Sequence, residues 1–459
     1  MAISSLLNIS RDALMTYQGA ISVTGSNIAN VNNADYTVQR ATISARTQLS
    51  SFQAGTGVDL TSVTRVYDQY IGNRIIDETS NSGYWDTRSG ILGQVEVLYD
   101  ETDTAGLTKD LEAFWDSWSD LAQNPTGLVE QNAVVAASDN LASNIRDKYQ
   151  SLQTILAGVN ESIAGTVNSI NSLAADIAEL NRSIVSASNS GAGVNELIDK
   201  RDAAIRSLSE LIPVQTVADE SGSVSVFLAN GQMLVSGISS RELEVGATGD
   251  VTFKGNTTPL DSLITGGKLG ALLELRDETL PGYMNSLDTL AAAVITEVNT
   301  LHGSGVDQTG AAVTGRLFFA STPVGSSAAF TMSVASGILS DPTTIVASQT
   351  VAGDGAVASA ITALQNQGIV TSGTQQVTTS EYWASSVSTV AKDISLAGQK
   401  AEQSAAVMTQ LESQRANVSG VSLDEEMIYL IQYQLGYSAA GQLCGTAQEM
   451  LDTLMGLVQ

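Results

Sequence analysis

Alternate steps of four and three residues from Ile3 pick out Leu7, Ser10, Leu14, Tyr17, Ile21, Thr24, Ile28 and Val31. Leu7, Leu14, Ile21 and Ile28 recur at every seventh position, which predicts a helix with a heptad seam. Polar Asn8, Arg11, Asp12, Gln18 and Asn27 fill the other faces, so the helix carries one apolar stripe with nothing nearby to cover it. At the far end, Ser422-Leu423-Asp424-Glu425 has the spacing of a capping box and marks another helix start. Beyond it Ala440, Leu443, Ala447, Met450, Leu454 and Leu457 form a second seam, flanked by Cys444, Leu451, Met455 and Val458. That face is broader than a two-stranded contact uses. The two terminal helices suit a coiled-coil pair whose outer row is left for helices of other subunits. An ordinary helical hairpin inside one core has the same periodicity, and periodicity alone does not choose between them.

Between the ends the chain goes out and comes back, so the two termini are expected to lie together. The Asn-rich stretch Asn27 to Tyr36 reads as a helix terminus, since Asn bonds nearby backbone and tolerates left-handed geometry. Tyr36 to Arg46 and Val58 to Val66 read as a hairpin with Gly55-Thr56-Gly57 as its turn. Helices follow over Tyr67 to Leu98 and over Leu107 to Leu121, the second stopped by Asn124-Pro125. From Ile145 to Ile184 the four-three spacing is broken only by Thr166, which predicts a rod of roughly 60 Å. Gly191-Ala192-Gly193 ends it, and Asn195 to Ile212 returns as a shorter helix. Val214 to Phe253 alternates with period two around an Asn230-Gly231 turn and reads as a β-insertion. Helix resumes from Gly267 to Leu301, the Gly-, Ser- and Thr-rich stretch 303–379 reads as a second β-insertion, and a further helix runs from Tyr382 to about Asn417. The fold class is mainly α with β insertions, in an elongated multidomain protein. Residues 1–35 and 422–459 form a terminal-helix inner domain; 36–212, 266–302 and 380–421 a helical rod domain with an N-terminal hairpin; 213–265 and 303–379 β-rich outer insertions.

Composition narrows the chemistry. The 459 residues carry a net charge of -27, which argues against a nucleic-acid partner, because phosphate binding needs clustered basic groups. Cys444 is the one cysteine and sits in an apolar helical row, so it reads as a small core residue and no internal disulfide exists. His302 is the one histidine, follows a long helix, and reads as a helix-end residue, which leaves no His-based triad or zinc site. Asp424-Glu425-Glu426 lies in a first helical turn, where negative charge favours the dipole. No catalytic, cofactor or metal residue is assigned. A glycosidase has no support in the sequence, since no pair of carboxylates has a convincing setting. The start MAISSLLNIS has no basic leader before a cleavage site, and no run of 18 apolar residues occurs, so neither a Sec-type signal nor membrane insertion is expected. Low cysteine, lysine and aromatic content is common in chains that leave the cell by another route.

These residues resemble a known family. NIANVNNADYTVQR, from Asn27 to Arg40, is similar to the Asn-Ile-Ala-Asn-x-Asn-Thr-x-Gly-Tyr segment of the flagellar axial proteins, with Asn33 in place of Thr and Asp35 in place of Gly. GAGVNELIDKRDAAIRSLSEL (191–211), SGSVSVFLANGQMLVSG (221–237), the block 266–310 with its Asn299-x-x-His302 ending, and SGVSLDEEMIYLIQYQLGYSAAGQL (419–443) resemble the hook-associated proteins within that family. The resemblance implies a structural, non-enzymatic subunit of the bacterial flagellum, joining hook to filament by self-assembly; a hook or filament subunit proper is the alternative. It implies secretion through the flagellar type III export apparatus. Implied partners are copies of itself, the hook protein, a second junction protein or flagellin on the distal side, and an export chaperone at the C-terminal helix. The assembly interface it implies comprises Leu7, Leu14, Ile21, Ile28, Asn27, Asn30, Asn32, Tyr36, Leu443, Ala447, Met450, Leu454 and Leu457.

Overall fold

A computed structural model describes residues 2–46, 55, 57–101, 106–190 and 193–456. The first helix, α1 (Ala2–Ala29), leads through the Asn-rich turn into the antiparallel pair β1 (Gln39–Ala45) and β2 (Val58–Arg65), with a bulge between Thr42 and Ile43. Thr56 and the residues before Gly55, on which the expected hairpin turn falls, lie outside the described residues. Helices α2 (Gln69–Glu96), α3 (Leu107–Gln123), α4 (Leu128–Ser190) and α5 (Asn195–Leu211) follow. Gly191 and Ala192, the expected break after α4, also lie outside them. Helix α4 has 63 residues and starts well before the expected Ile145. Val134, Leu141 and Ala142 extend its buried stripe toward the N-terminus, but with Ser138 and Gln131 also buried the apolar signal there is diluted.

The four-stranded sheet has the order β3-β4-β5-β6, formed by β3 (Val214–Ala218), β4 (Val224–Leu228), β5 (Met233–Ser236) and β6 (Ser239–Ser240). A ribbon of β7 (Leu243–Val245) and β8 (Val251–Phe253) comes next. The Asn230-Gly231 turn differs from the two-residue form. Gly231 N–H donates to the Leu228 carbonyl, Leu228 N–H to that of Gln232, and only Gly231 is left-handed (φ 80°). That is a three-residue loop ending in a glycine bulge. The next helix is interrupted: α6 (Gly267–Glu274) passes through a π-helical turn, Leu275–Thr279, into α7 (Leu280–His302). Pro281 has no N–H to donate, and its ring would crowd the carbonyl one turn back, which the widened turn relieves.

The stretch 303–379 departs from the expected β-insertion. It holds three short helices, α8 (Ala328–Thr331), α9 (Ser336–Ser340) and α10 (Ala356–Ala363), and a single ribbon of β9 (Val370–Ser372) with β10 (Gln375–Val377). Its Gly, Ser and Thr content marks turns, and without period-two alternation it does not make sheet. Helix α11 (Thr379–Ser419) then leads to α12 (Leu423–Gly456).

The chain divides into two compact units. The first comprises Met1–Gly83, Val167–Gly267 and Gln403–Gln459; the second comprises Tyr84–Thr166 and Lys268–Glu402. In the first, two asparagines ten residues apart on α4 act as substitute strand partners. The Asn171 amide donates to the Leu243 carbonyl (2.8 Å) and accepts from Leu243 N–H (2.7 Å). Asn181 donates to the carbonyls of Val224 and Gly237 and accepts from Val224 N–H. Backbone groups that no strand pairs are thereby satisfied.

In the second unit Phe114, Trp115, Trp118, Phe318 and Phe319 are fully buried. The Asn299-x-x-His302 ending of α7 holds the loop that carries Phe318 and Phe319. The Asn299 side-chain oxygen Oδ1 accepts from the N–H groups of Phe318 and Phe319, and His302 Nδ1 lies 2.9 Å from the Arg316 carbonyl. Val346 N–H donates to His302 Nε2 at 3.0 Å, so the ring is neutral with its proton on Nδ1. Burial holds its pKa down to about 4. The expected helix-end position is correct, yet His302 is also a fully buried node between two loops.

Candidate assembly interface

Helices α1 and α12 pack against each other in the first unit. Asn27 meets Glu426 while Tyr17 meets Gly436, so ten residues back along α1 correspond to ten residues forward along α12 and the pair is antiparallel. Close approach requires glycine at two points. A Cβ on Gly436 would sit 2.6 Å from Tyr17 Cζ, and one on Gly19 would sit 2.8 Å from Leu60 Cδ2 of β2.

The four asparagines of NIANVNNADY have distinct roles. Asn27 is buried and uses every hydrogen-bonding position of its amide. Its Nδ2 donates to the Gln39 carbonyl (2.9 Å) and to Glu426 Oε2 (2.8 Å), while its Oδ1 accepts from Tyr36 Oη (2.8 Å) and Gln39 N–H (3.1 Å). One side chain thus fastens the end of α1 to the start of β1 and the start of α12. Asn30 caps locally on the Ser26 carbonyl, and Asn33 accepts from Asp35 N–H. Asn32 is exposed. No described non-glycine residue has positive φ, so the left-handed geometry expected of Asn is not what selects it here. Hydrogen bonding is.

Glu426 is the partner that sequence reasoning missed. It lies in the first turn of α12 as expected and is in addition fully buried. Its carboxylate accepts from Arg40 as well as from Asn27, which gives a buried charge the partners it requires. Arg40 also reaches Glu425 at 3.1 Å and lies over the Tyr429 ring, 4.9 Å from its centroid. The capping box is accordingly half-formed: Glu425 N–H lies 3.5 Å from Ser422 Oγ, but the Glu425 carboxylate turns to Arg40 instead of back to Ser422. A signal for Glu426 existed. Glu426, Tyr433, Ala440 and Ala447 share one seven-residue row, and Glu426, Ala440 and Ala447 are all buried.

The seams divide differently from the expected pattern. On α1, Leu7, Leu14, Ile21 and Ile28 are half-buried, while the fully covered positions are Ser10, Asp12, Thr16, Ala20, Thr24 and Asn27. Small and polar residues let β1, β2 and α12 approach closely: Thr16 Oγ1 donates to the Val58 carbonyl, and Arg46 pairs with Asp12. On α12 the small members of the expected seam, Ala440 and Ala447, are buried and its described large members are not. Leu443 is 44% exposed, Met450 53% and Leu454 51%, and Leu457 lies outside the described residues. Met427, Ile428, Ile431 and Leu435 are likewise exposed. Helix α12 therefore carries large apolar side chains that stay exposed among the described residues. No described helix is long and apolar enough to cross a membrane.

Terminal helices paired through an Asn-rich turn, with large apolar side chains left exposed on α12, agree with the resemblance to the flagellar axial class of proteins. Residues 412–457 match the family described as flagellar basal body rod FlgEFG protein C-terminal, and residues 92–319 match the flagellar hook-associated protein FlgK helical domain. The chain belongs to the family of flagellar hook-associated protein 1, FlgK. It is 26% identical over 495 residues to the flagellar hook-associated protein 1 of Bacillus subtilis, covering 98% of this chain and 97% of that protein. The Escherichia coli K12 protein of the same name is 30% identical over 332 residues, which cover 69% of this chain and 60% of that one. In fold it is similar to the flagellar hook junction protein FlgK from Burkholderia pseudomallei, with a TM-score of 0.64 and 18% identity over 76% of this chain and all of that one.

Proposed function

We propose that the chain is a structural subunit of the bacterial flagellum that assembles at the junction between hook and filament through α1 and α12. The uncovered apolar row of α12 carries the reading: helices of neighbouring copies, packing on Met427, Ile431, Leu435, Leu443, Met450 and Leu454, would bury it. Half-buried Leu7, Leu14, Ile21 and Ile28 on α1 would complete the same interface, with Asn27, Asn30, Asn32 and Tyr36 setting the geometry of its end. The paired termini form the inner domain in this reading. The hook protein lies on one side, and a second junction protein or flagellin on the other. Before assembly, the exposed face of α12 is held by an export chaperone, and the chain leaves through the flagellar type III apparatus. The role is structural, without catalysis.

Match of the helical domain over 92–319 to the hook-associated family favours a junction subunit over a hook or filament subunit proper. Immunogold labelling of detached hooks tests this. One short band at the distal end is expected; label along the whole hook or the whole filament would sink the junction reading.

A further inference from the structure

A cavity of about 280 Å³ opens in the first unit between α2, α5, β3 and α11, and four arginines line it: Arg65, Arg201, Arg206 and Arg415. The chain has only 21 basic residues against 48 acidic ones, so their convergence is not a by-product of a basic surface. The acidic groups at the same place are already engaged. Asp35 pairs with Arg206, Asp199 and Asp202 pair with Arg65 at 2.7 and 2.8 Å, and Asp68 caps the N–H groups of Tyr70 and Ile71. Arg201 donates to the Gly222 carbonyl at 2.7 Å and only distantly, at 3.5 Å, to Asp202 and to Asn181 Oδ1. Arg415 makes no hydrogen bond or ion pair among the described residues. Two further donors are orphaned, since Arg65 Nε and Arg201 Nε are buried without an acceptor, and Arg201 is only 6% exposed. Unmade bonds of this kind are expensive, and an oxyanion is the acceptor that matches a guanidinium fork.

We propose that this cavity binds a small oxyanion, phosphate or carboxylate, held by Arg415 together with Arg201 and Arg65. Burial and the neighbouring Arg206 lower the Arg415 pKa, against the opposing effect of Asp35 and Asp199, and a bound anion favours its charged form. The site is distinct from the α12 face and does not depend on the junction reading.

The test is a thermal melt of the full chain titrated with inorganic phosphate, with sodium acetate in a second arm and sodium chloride at matched ionic strength as control. A saturable rise in Tm with phosphate alone identifies a phosphoryl-type ligand; a saturable rise with both identifies carboxylate chemistry, such as an acidic side chain. Arg415→Ala should melt like the native chain in chloride and bind the anion at least about tenfold more weakly, the effect of losing one charge-assisted contact. No saturable rise in either arm, or an equal rise in Arg415→Ala, overturns the proposal.

Discussion

Asn27 shows at the scale of a residue why one polar side chain is retained in a packed interface. Its four hydrogen bonds join three elements, and each removed partner leaves a buried group unpaired. Asn27→Ala is expected to destabilise the first unit by about 3 kcal/mol, with Glu426 left only Arg40 as its side-chain partner. Urea unfolding followed by tryptophan-independent circular dichroism measures it, and a change inside about 0.5 kcal/mol, the range of surface substitutions, would contradict the role. His302 supplies a second prediction, of pH dependence. Its folded pKa is depressed from 6.5 to about 4, so the unfolded chain takes up the proton first as pH falls. The stability it contributes is complete above pH 6.5 and is lost as pH drops through the folded value, by about 3 kcal/mol in all. His302→Gln should flatten that part of the stability profile; an unchanged slope would assign the acid sensitivity elsewhere. The importance of the Asn-rich stretch was legible from composition, but its mechanism was not. The partners of Asn27 lie 12 and 399 residues away, and no local pattern links them.

Elements were legible where a period is strong. The heptads of α1 and α12, the two-residue period of β4 and the apolar rows of α4 and α7 all announce their elements. What hid was structure specified by single contacts. Asn171 and Asn181 pin strands to α4 through amides that look like ordinary solvated positions in a helix. The short helices of 303–379 are too brief for a period to show. The face of α12 buried against α1 was also obscured, because it is built from Ala440, Ala447 and Gly436 and not from the larger residues of the seam. Gly436→Leu is therefore expected to push the Tyr17 ring aside and cost about 2 kcal/mol, as overpacking does. Hydrogen exchange of the α1 amides reads it directly. Faster exchange confined to α1, α12 and the β1–β2 pair is the expected outcome, and native protection would show that the close approach is dispensable.

At the scale of the whole molecule, the proposed function has neighbouring copies complete what the paired ends leave exposed. α1 packs on α12 within the chain, and several large apolar side chains of α12 stay exposed among the described residues. This separates folding from assembly, so the two can be broken independently. The measurement that tests it most directly is the pair Ile431→Asp and Leu435→Asp in one chain, both residues being exposed. The urea midpoint of the isolated protein should stay within about 0.5 kcal/mol of native, while the variant fails to join hooks and cells carrying it lack attached filaments. Filaments attached as in the native strain, with the variant present at the hook tip, would contradict the claim that α12 completes the structure through neighbouring copies.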